Sequence, residues 1–257
     1  MSKNVKVFYT GGWDSTFMLC KLSRKTITIF PIYILNPLRH SCDKELDSAK
    51  RIIKLLSKHP NTKAKFSDIK VIELPNISID PRIRDARKRL SKKVGLLGYQ
   101  YDYLAAVATK YDFVALGIES PPEDTTIGAT ATLNKYAEFK KTQYGYVVNQ
   151  ASSLPDVNTV FGHMLFPIID TTEREMLEWI EKHGYEDIMK LTWFCHSPIK
   201  GQPCGLCRPC EQKMDSGMEY LLPDVAKKRY LKAKKWRILG DRPSRSIKNA
   251  KIRLLGG

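Results

Sequence analysis

The chain has 257 residues, an apolar fraction of 42% and a formal charge of +16, from 43 Lys and Arg against 27 Asp and Glu. That length suits one sizeable domain with at most an appendage, and the apolar fraction suffices for a packed core. No stretch approaches the roughly eighteen apolar residues of a membrane span, and residues 1–6 lack the apolar run of a signal peptide, so a cytoplasmic protein with no membrane partner is expected.

Residues 5–9 form an apolar run that reads as a short buried strand. Thr10-Gly11-Gly12-Trp13-Asp14-Ser15-Thr16 follows, and an amphipathic stretch continues through Leu22. The order is strand, glycine turn, helix start. Gly11 and Gly12 carry no Cβ to keep the backbone from closing around a ligand, and Asp14, Ser15 and Thr16 place polar groups at the helix start. Successive N–H groups at such a turn favour an anion, with phosphate as the natural guest. A Walker A loop is excluded, because no lysine stands at the helix start.

Residues 27–35 read as a second strand despite Pro31, and residues 43–57 as a helix with Leu46, Ala49, Ile52, Ile53 and Leu56 on one face. Residues 69–74 make a third strand stopped by Pro75. Residues 81–93 make a basic helix with proline in its first turn. A helix over 101–110 leads to a fourth strand, Phe113-Val114-Ala115-Leu116, ending at Gly117. Residues 119–132 read as loop, residues 133–142 as helix and residues 164–169 as a fifth strand. Thr172 and Glu175 then make a capping box for a helix over 173–182, ended by Gly184. Alternating strands and helices predict an α/β fold, a doubly wound parallel sheet of about five strands whose ligand site lies beyond the strands' carboxyl ends.

The composition changes after residue 191. Cys195, Cys204, Cys207 and Cys210 stand at C-x8-C-x2-C-x2-C. Six cysteines in a cytoplasmic setting argue for thiols or metal ligands rather than disulfides. Four thiolates can close a tetrahedral Zn²⁺ site of structural type; an iron–sulfur cluster is the competing occupant. His196 adjoins the first ligand, whereas Cys20 and Cys42 lie outside the cluster. The division expected is a Rossmann-like domain with the phosphate-favouring loop over residues 1–190, a four-cysteine helical lobe over 191–222 and a basic tail over 223–257. Between Lys227 and Arg253 twelve Lys or Arg face one acidic residue, Asp241. Such a segment suits a nucleic acid or protein acceptor, or is simply a solvated tail.

The loop at residues 10–16 resembles the S-G-G-x-D-S pyrophosphate (PP) loop of the adenine-nucleotide α-hydrolase-like (HUP-type) ATPases, with Thr10 for the first serine. Taken with Leu191-Thr192-Trp193-Phe194-Cys195 and Cys204-Gly205-Leu206-Cys207-Arg208-Pro209-Cys210, it resembles the 7-cyano-7-deazaguanine synthase (QueC) family. Arg39-His40 with Glu45-Leu46 and Ala49, and Phe166-Pro167-Ile168-Ile169-Asp170, extend the likeness over most of residues 5–215. The resemblance implies an AMP-forming carbon–nitrogen ligase that adenylates a 7-carboxy-7-deazaguanine-like carboxylate on the way to an amide or nitrile. Thr10, Gly11, Gly12, Asp14, Ser15, Thr16 and Gly117 would hold ATP with Mg²⁺, and Asp14, Ser15, Arg39 and His40 would serve the chemistry.

The chain departs from the family after Gly117, where Ile-Glu-Ser-Pro-Pro replaces the segment that reads the deazaguanine, and at Glu173, where the family carries lysine. A divergent paralogue is therefore expected, with a variant that conjugates the carboxylate to a macromolecular amine, as in antiviral-defence clusters; a homodimer is compatible with it. The alternatives are a tRNA-thiolating enzyme of the same loop class and a nucleic-acid-binding protein with a degenerate ATP site. In the second, Trp236 amid Lys234, Lys235 and Arg237 would form the contact face.

Overall fold

The computed structural model describes residues 3–111, 113–120 and 127–238. The chain divides into two compact units, one of Met1–Asn36 with Ala49–Thr192, the other of Pro37–Ser48 with Trp193–Gly257. The division after Thr192 falls near the composition change. Residues 37–48, however, join the cysteine unit, and residues 223–238 belong to it too, not to a separate tail. Pro121, Pro122 and the basic residues from Arg242 onward lie outside the described residues, as does the side chain of Arg237.

The first unit opens with β1 (Asn4–Phe8), α1 (Trp13–Ser23), β2 (Thr28–Leu35) and α2 (Cys42–Leu56), whose first turns lie in the second unit. Then come β3 (Lys65–Phe66), β4 (Lys70–Glu73), α3 (Pro81–Val94), α4 (Gln100–Ala108) and β5 (Val114–Ala115). They are followed by α5 (Gly128–Tyr136), β6 (Phe139–Thr142), β7 (Gly145–Val148), α6 (Pro155–Phe161), β8 (Met164–Phe166), α7 (Glu173–His183) and α8 (Glu186–Met189).

The eight strands form one sheet in the order β3-β2-β1-β5-β8-β7-β6, with β4 also on β2. Ile32 pairs with Phe8 of β1 and with Lys70 of β4, so β3 and β4 act as one interrupted edge strand on the side of β2 away from β1. All five expected strands are present and parallel. Their order departs from β1 in both directions, toward β2 on one side and β5 on the other.

The fold is thus α/β with a mostly parallel sheet and flanking helices, compatible with a Rossmann-like arrangement, but with eight strands instead of about five. The hairpin β6–β7, antiparallel to β8, is the main addition. Residues 133–142 were expected to be helical. The helix starts earlier, at Gly128, and Phe139–Thr142 instead make the edge strand, where Lys140 and Lys141 face solvent. Charged residues at such an edge deter pairing with other chains.

Local signals set several boundaries. Asp80 caps α3 by accepting the Arg82 N–H at 2.8 Å, with Pro81 at the first helical position. The Thr172/Glu175 capping box closes the start of α7, and Gly184 ends it with φ of +72°. Around the sheet, α3, α4, α5 and α6 pack on one another, and α8 packs on α1 and α7. Ile83, Ala86 and Leu90 of α3 are buried with Val157, Val160 and Phe161 of α6, and the Arg89 guanidinium holds both Asp156 oxygens, the shorter at 2.7 Å.

Phe161 is fully buried, its ring 5.3 Å from Tyr101 and 6.4 Å from Phe166. Phe161→Ala should therefore cost about 3–5 kcal/mol, read as a lower urea midpoint with an unchanged slope.

Candidate functional site

The loop after β1 is held by its own polar groups. Gly11 takes φ of +69°, which a side chain would oppose. The Gly12 N–H donates to Thr10 Oγ1 at 3.3 Å, the Ser15 hydroxyl donates to the Gly12 carbonyl at 3.1 Å, and Thr10 Oγ1 lies 3.4 Å from Ser15 Oγ. Thr10 is exposed, and Gly12, Asp14 and Ser15 are half-buried, so these residues border solvent. Thr16 does not: its side chain is fully buried with Oγ1 3.4 Å from the Tyr9 hydroxyl, and its N–H donates to the Gly12 carbonyl. It braces the turn from the core side. Trp13 is buried as well.

The neighbouring strand completes the setting. β1 and β5 are adjacent and parallel at the point where strand order reverses, the crevice in which ligands of open α/β sheets bind. Gly117, just beyond β5, is in close approach to the loop. A Cβ there would meet the Asp14 carbonyl carbon at 3.0 Å and the Asp14 oxygen and Ser15 nitrogen at 3.1 Å each. Only glycine lets the two segments close this far without displacement.

Two helices begin near these strand ends, and they differ. The start of α7 is filled by its own capping box, with Glu175 accepting the Thr172 N–H at 2.7 Å. No side-chain hydrogen bond caps α1, whose N-cap is Gly12. An anion is therefore better suited to α1 than to α7.

Two residues that sequence reasoning passed over have shifted protonation. Burial pushes the Tyr101 phenol up, and the Asp14 carboxylate adds to the shift, which puts Tyr101 near the loop. Lys21, on the third turn of α1, donates to Thr171 Oγ1 at 3.3 Å. Burial pushes its amine down, opposed by Asp170 and Glu175. The chain spacing of Lys21 from the glycines hides it from a motif search.

The second unit carries a candidate metal site. Sγ of Cys195, Cys204, Cys207 and Cys210 all lie within 4.8 Å of one another. Cys204–Cys210 and Cys195–Cys207 are separated by 3.9 Å and Cys207–Cys210 by 3.5 Å. Four thiolates at about 2.3 Å from one tetrahedral ion would be about 3.8 Å apart, so these distances fit a single metal such as zinc. They are far longer than a disulfide and converge too closely to enclose an iron–sulfur cubane.

Backbone donors converge on the sulfurs: Cys204 N–H on Cys195 Sγ at 3.2 Å, and Leu206 and Cys207 N–H on Cys204 Sγ at 3.3 and 3.2 Å. The surrounding thiols and the Leu206 N–H hold Cys204 well below its ordinary range, and contact with Cys195 draws Cys207 down to about 6. The same contacts push Cys195 and Cys210 up, so among the four thiols charge settles first on Cys204 and Cys207, as the thiolates that begin ligation of a metal.

Two helices frame the centre, α9 (Arg208–Asp215), starting between two of the ligands, and α10 (Asp224–Ile238). Gly205 has φ of +74°, and a Cβ there would stand 2.1 Å from the Ala226 carbonyl oxygen, so α10 sits directly on the turn between Cys204 and Cys207. Among the described residues, Ile199, Leu222 and Ala226 are buried against the cysteines, and Met218 and Tyr230 are also buried in the unit. So few apolar residues make a metal the natural staple.

Arg39 and His40 belong to this second unit. Arg39 Nη1 lies 3.4 Å from both oxygens of buried Glu45, which also accepts the Ser41 hydroxyl at 2.6 Å, while His40 is exposed. His196 lies at the exposed edge of the cluster, and desolvation by its neighbours, followed by Arg39, pushes its imidazole down. Of the remaining cysteines, Cys20 is fully buried with its thiol pushed up by burial, and Cys42 is nearly so.

No protein-family model matches the chain, and no curated protein matches it significantly in sequence.

Chelation of the metal-loaded protein should release about one ion per chain. It should also abolish amide protection over α9 and α10 while leaving that of β1, β2 and β5 in place, as read by hydrogen exchange. Gly205→Ala should lower metal content for the same reason, with cysteine count unchanged.

Proposed function

We propose that the first unit binds ATP with its phosphates on the loop of residues 10–16, and that the protein is an AMP-forming carbon–nitrogen ligase of the 7-cyano-7-deazaguanine synthase type. The observation that carries this reading is the approach of Gly117 to the Asp14–Ser15 backbone at the reversal of strand order. The Gly11-Gly12 turn, a helix start with no side-chain cap and a strand end without Cβ offer the ligand backbone, bordered by the Thr10 and Ser15 hydroxyls. Pyrophosphate is recognised by such surfaces.

In the proposed reaction a carboxylate oxygen attacks the α-phosphorus of ATP, the bond to the bridging oxygen breaks, and pyrophosphate leaves. An amine nitrogen then attacks the activated carbonyl and AMP leaves with the electron pair of the broken bond. The residues of this chain bind and orient: the Gly11 and Gly12 backbone and the Thr10 and Ser15 hydroxyls toward the leaving phosphates, Asp14 toward a Mg²⁺ ion that would share their charge. The four cysteines would hold zinc as a structural ion, since thiolates fill all four positions.

Two observations weigh against the thiolating alternative. Four cysteines converge on one metal position, and Cys20 is buried in the core as a poor nucleophile.

Incubation with MgATP and 7-carboxy-7-deazaguanine, with and without ammonium, should give AMP and an amide or nitrile base by mass spectrometry. An adduct on a protein amine would assign the conjugating variant. Absence of AMP from folded, metal-loaded protein would remove this substrate. Ser15→Ala should lower turnover about 10²-fold at unchanged metal content, because it loses a hydroxyl that would turn from the Gly12 carbonyl to the leaving phosphates once nucleotide binds.

A further inference from the structure

The described part of the basic C-terminal segment is the helix α10, and its side chains are sorted by direction. Ala226 and Tyr230 point into the second unit's core, and the Tyr230 hydroxyl donates to Asp215. Lys234 turns the same way, 3.2 Å from Asp215 and 2.9 Å from the Tyr230 hydroxyl, and Lys227 pairs with Asp224 at 3.5 Å. These cations are spent within the unit. Lys234 thus does not join Trp236 in a contact face.

Lys228, Lys232 and Lys235 remain, at i, i+4 and i+7 along the exposed side. No carboxylate pairs with them among the described residues. They span about 10 Å along the helix axis. Trp236 flanks this stripe at 51% exposure; of the other tryptophans, Trp13 is buried and Trp179 and Trp193 are half-buried.

We propose that this face of α10 binds single-stranded nucleic acid, with Lys228, Lys232 and Lys235 on consecutive phosphates and Trp236 stacked on an unpaired base. A strand carries a phosphate every few ångströms, so a 10 Å row of lysines meets two or three of them. An exposed indole beside that row supplies a stacking platform that a paired base cannot use, which selects single strands over duplex. The net charge of +16 draws any polyanion toward the protein. A bilayer is the poorer fit, because membrane-surface helices sink an apolar face. On α10 the side turned away from the core is centred on lysines, with Val225 and Trp236 on one flank and Leu231 on the other. The inference uses only the second unit and stands whether or not the first unit turns over ATP.

The test uses the full, metal-loaded chain and fluorescence anisotropy with a labelled oligouridylate, a duplex RNA of equal length and labelled poly-glutamate, together with sedimentation on phosphatidylserine vesicles. Wild type should prefer the oligouridylate. Lys228→Gln/Lys232→Gln/Lys235→Gln should flatten the slope of log affinity against log salt by about 2. Trp236→Ala should weaken binding about tenfold with the slope intact. Metal content and thermal midpoint should match wild type in both variants, since none of the four side chains is buried. An unchanged slope in the triple variant, unchanged affinity in Trp236→Ala, equal binding of duplex or poly-glutamate, or binding to vesicles alone would overturn the proposal.

Discussion

The first unit depends on a contact that only glycine permits. β5 runs beside β1, and its end passes against the turn that leads from β1 into α1, with residue 117 lying where any Cβ would press on the Asp14 and Ser15 backbone. Because the two strands are parallel neighbours at the reversal of strand order, neither can retreat without breaking the pairing of Lys6 with Val114 and Val7 with Ala115. The buried Thr16 and Tyr9 pair fixes the turn from behind. What remains toward solvent is a backbone-lined corner with small hydroxyls, which suits phosphate better than it suits an apolar ligand.

The second unit obeys a different constraint. It encloses little apolar material among the described residues: three cysteines with Ile199, Leu222 and Ala226 form the buried cluster, and Met218 and Tyr230 add to it. Gly205 brings the start of α10 onto the turn between two ligands, so the metal position and the basic helix are mechanically one piece. Loss of metal would free α10, whereas the sheet has its own apolar core and no cysteine ligand.

Much of this architecture is legible in the chain. Four of the five parallel strands show because buried parallel strands are near-continuous apolar runs, and the exposed edge strand β4 shows by Val71 and Ile72. Helices α3 and α7 show because Asp80-Pro81 and Thr172-x-x-Glu175 are local capping signals that tertiary contacts do not override. The cysteine spacing gives the metal centre for the same reason: its geometry is mostly local.

What escapes is what depends on partners far along the chain. Phe139–Thr142 ends a run from Leu133 that reads as one helix through Leu133, Tyr136 and Ala137, yet it is drawn into the sheet by pairing with Gly145–Val148 and the approach of β7 to β8. The role of Gly117 is invisible without knowing that β5 lies beside β1. Thr16 looks like one more polar residue at a helix start, but the helical turn points it at Tyr9. Arg39 is tied to Glu45, which also accepts the Ser41 hydroxyl, a shared acceptor that the spacing of the three residues does not announce.

The most direct measurement is calorimetric titration of a non-hydrolysable ATP analogue with Mg²⁺ into wild type and Gly117→Val. The account predicts saturable binding to wild type and a loss of about tenfold or more in the variant, with its metal content retained. Equal affinity in the two proteins, or no binding to folded wild type, would contradict the claim that the nucleotide's phosphates rest on the loop that Gly117 approaches.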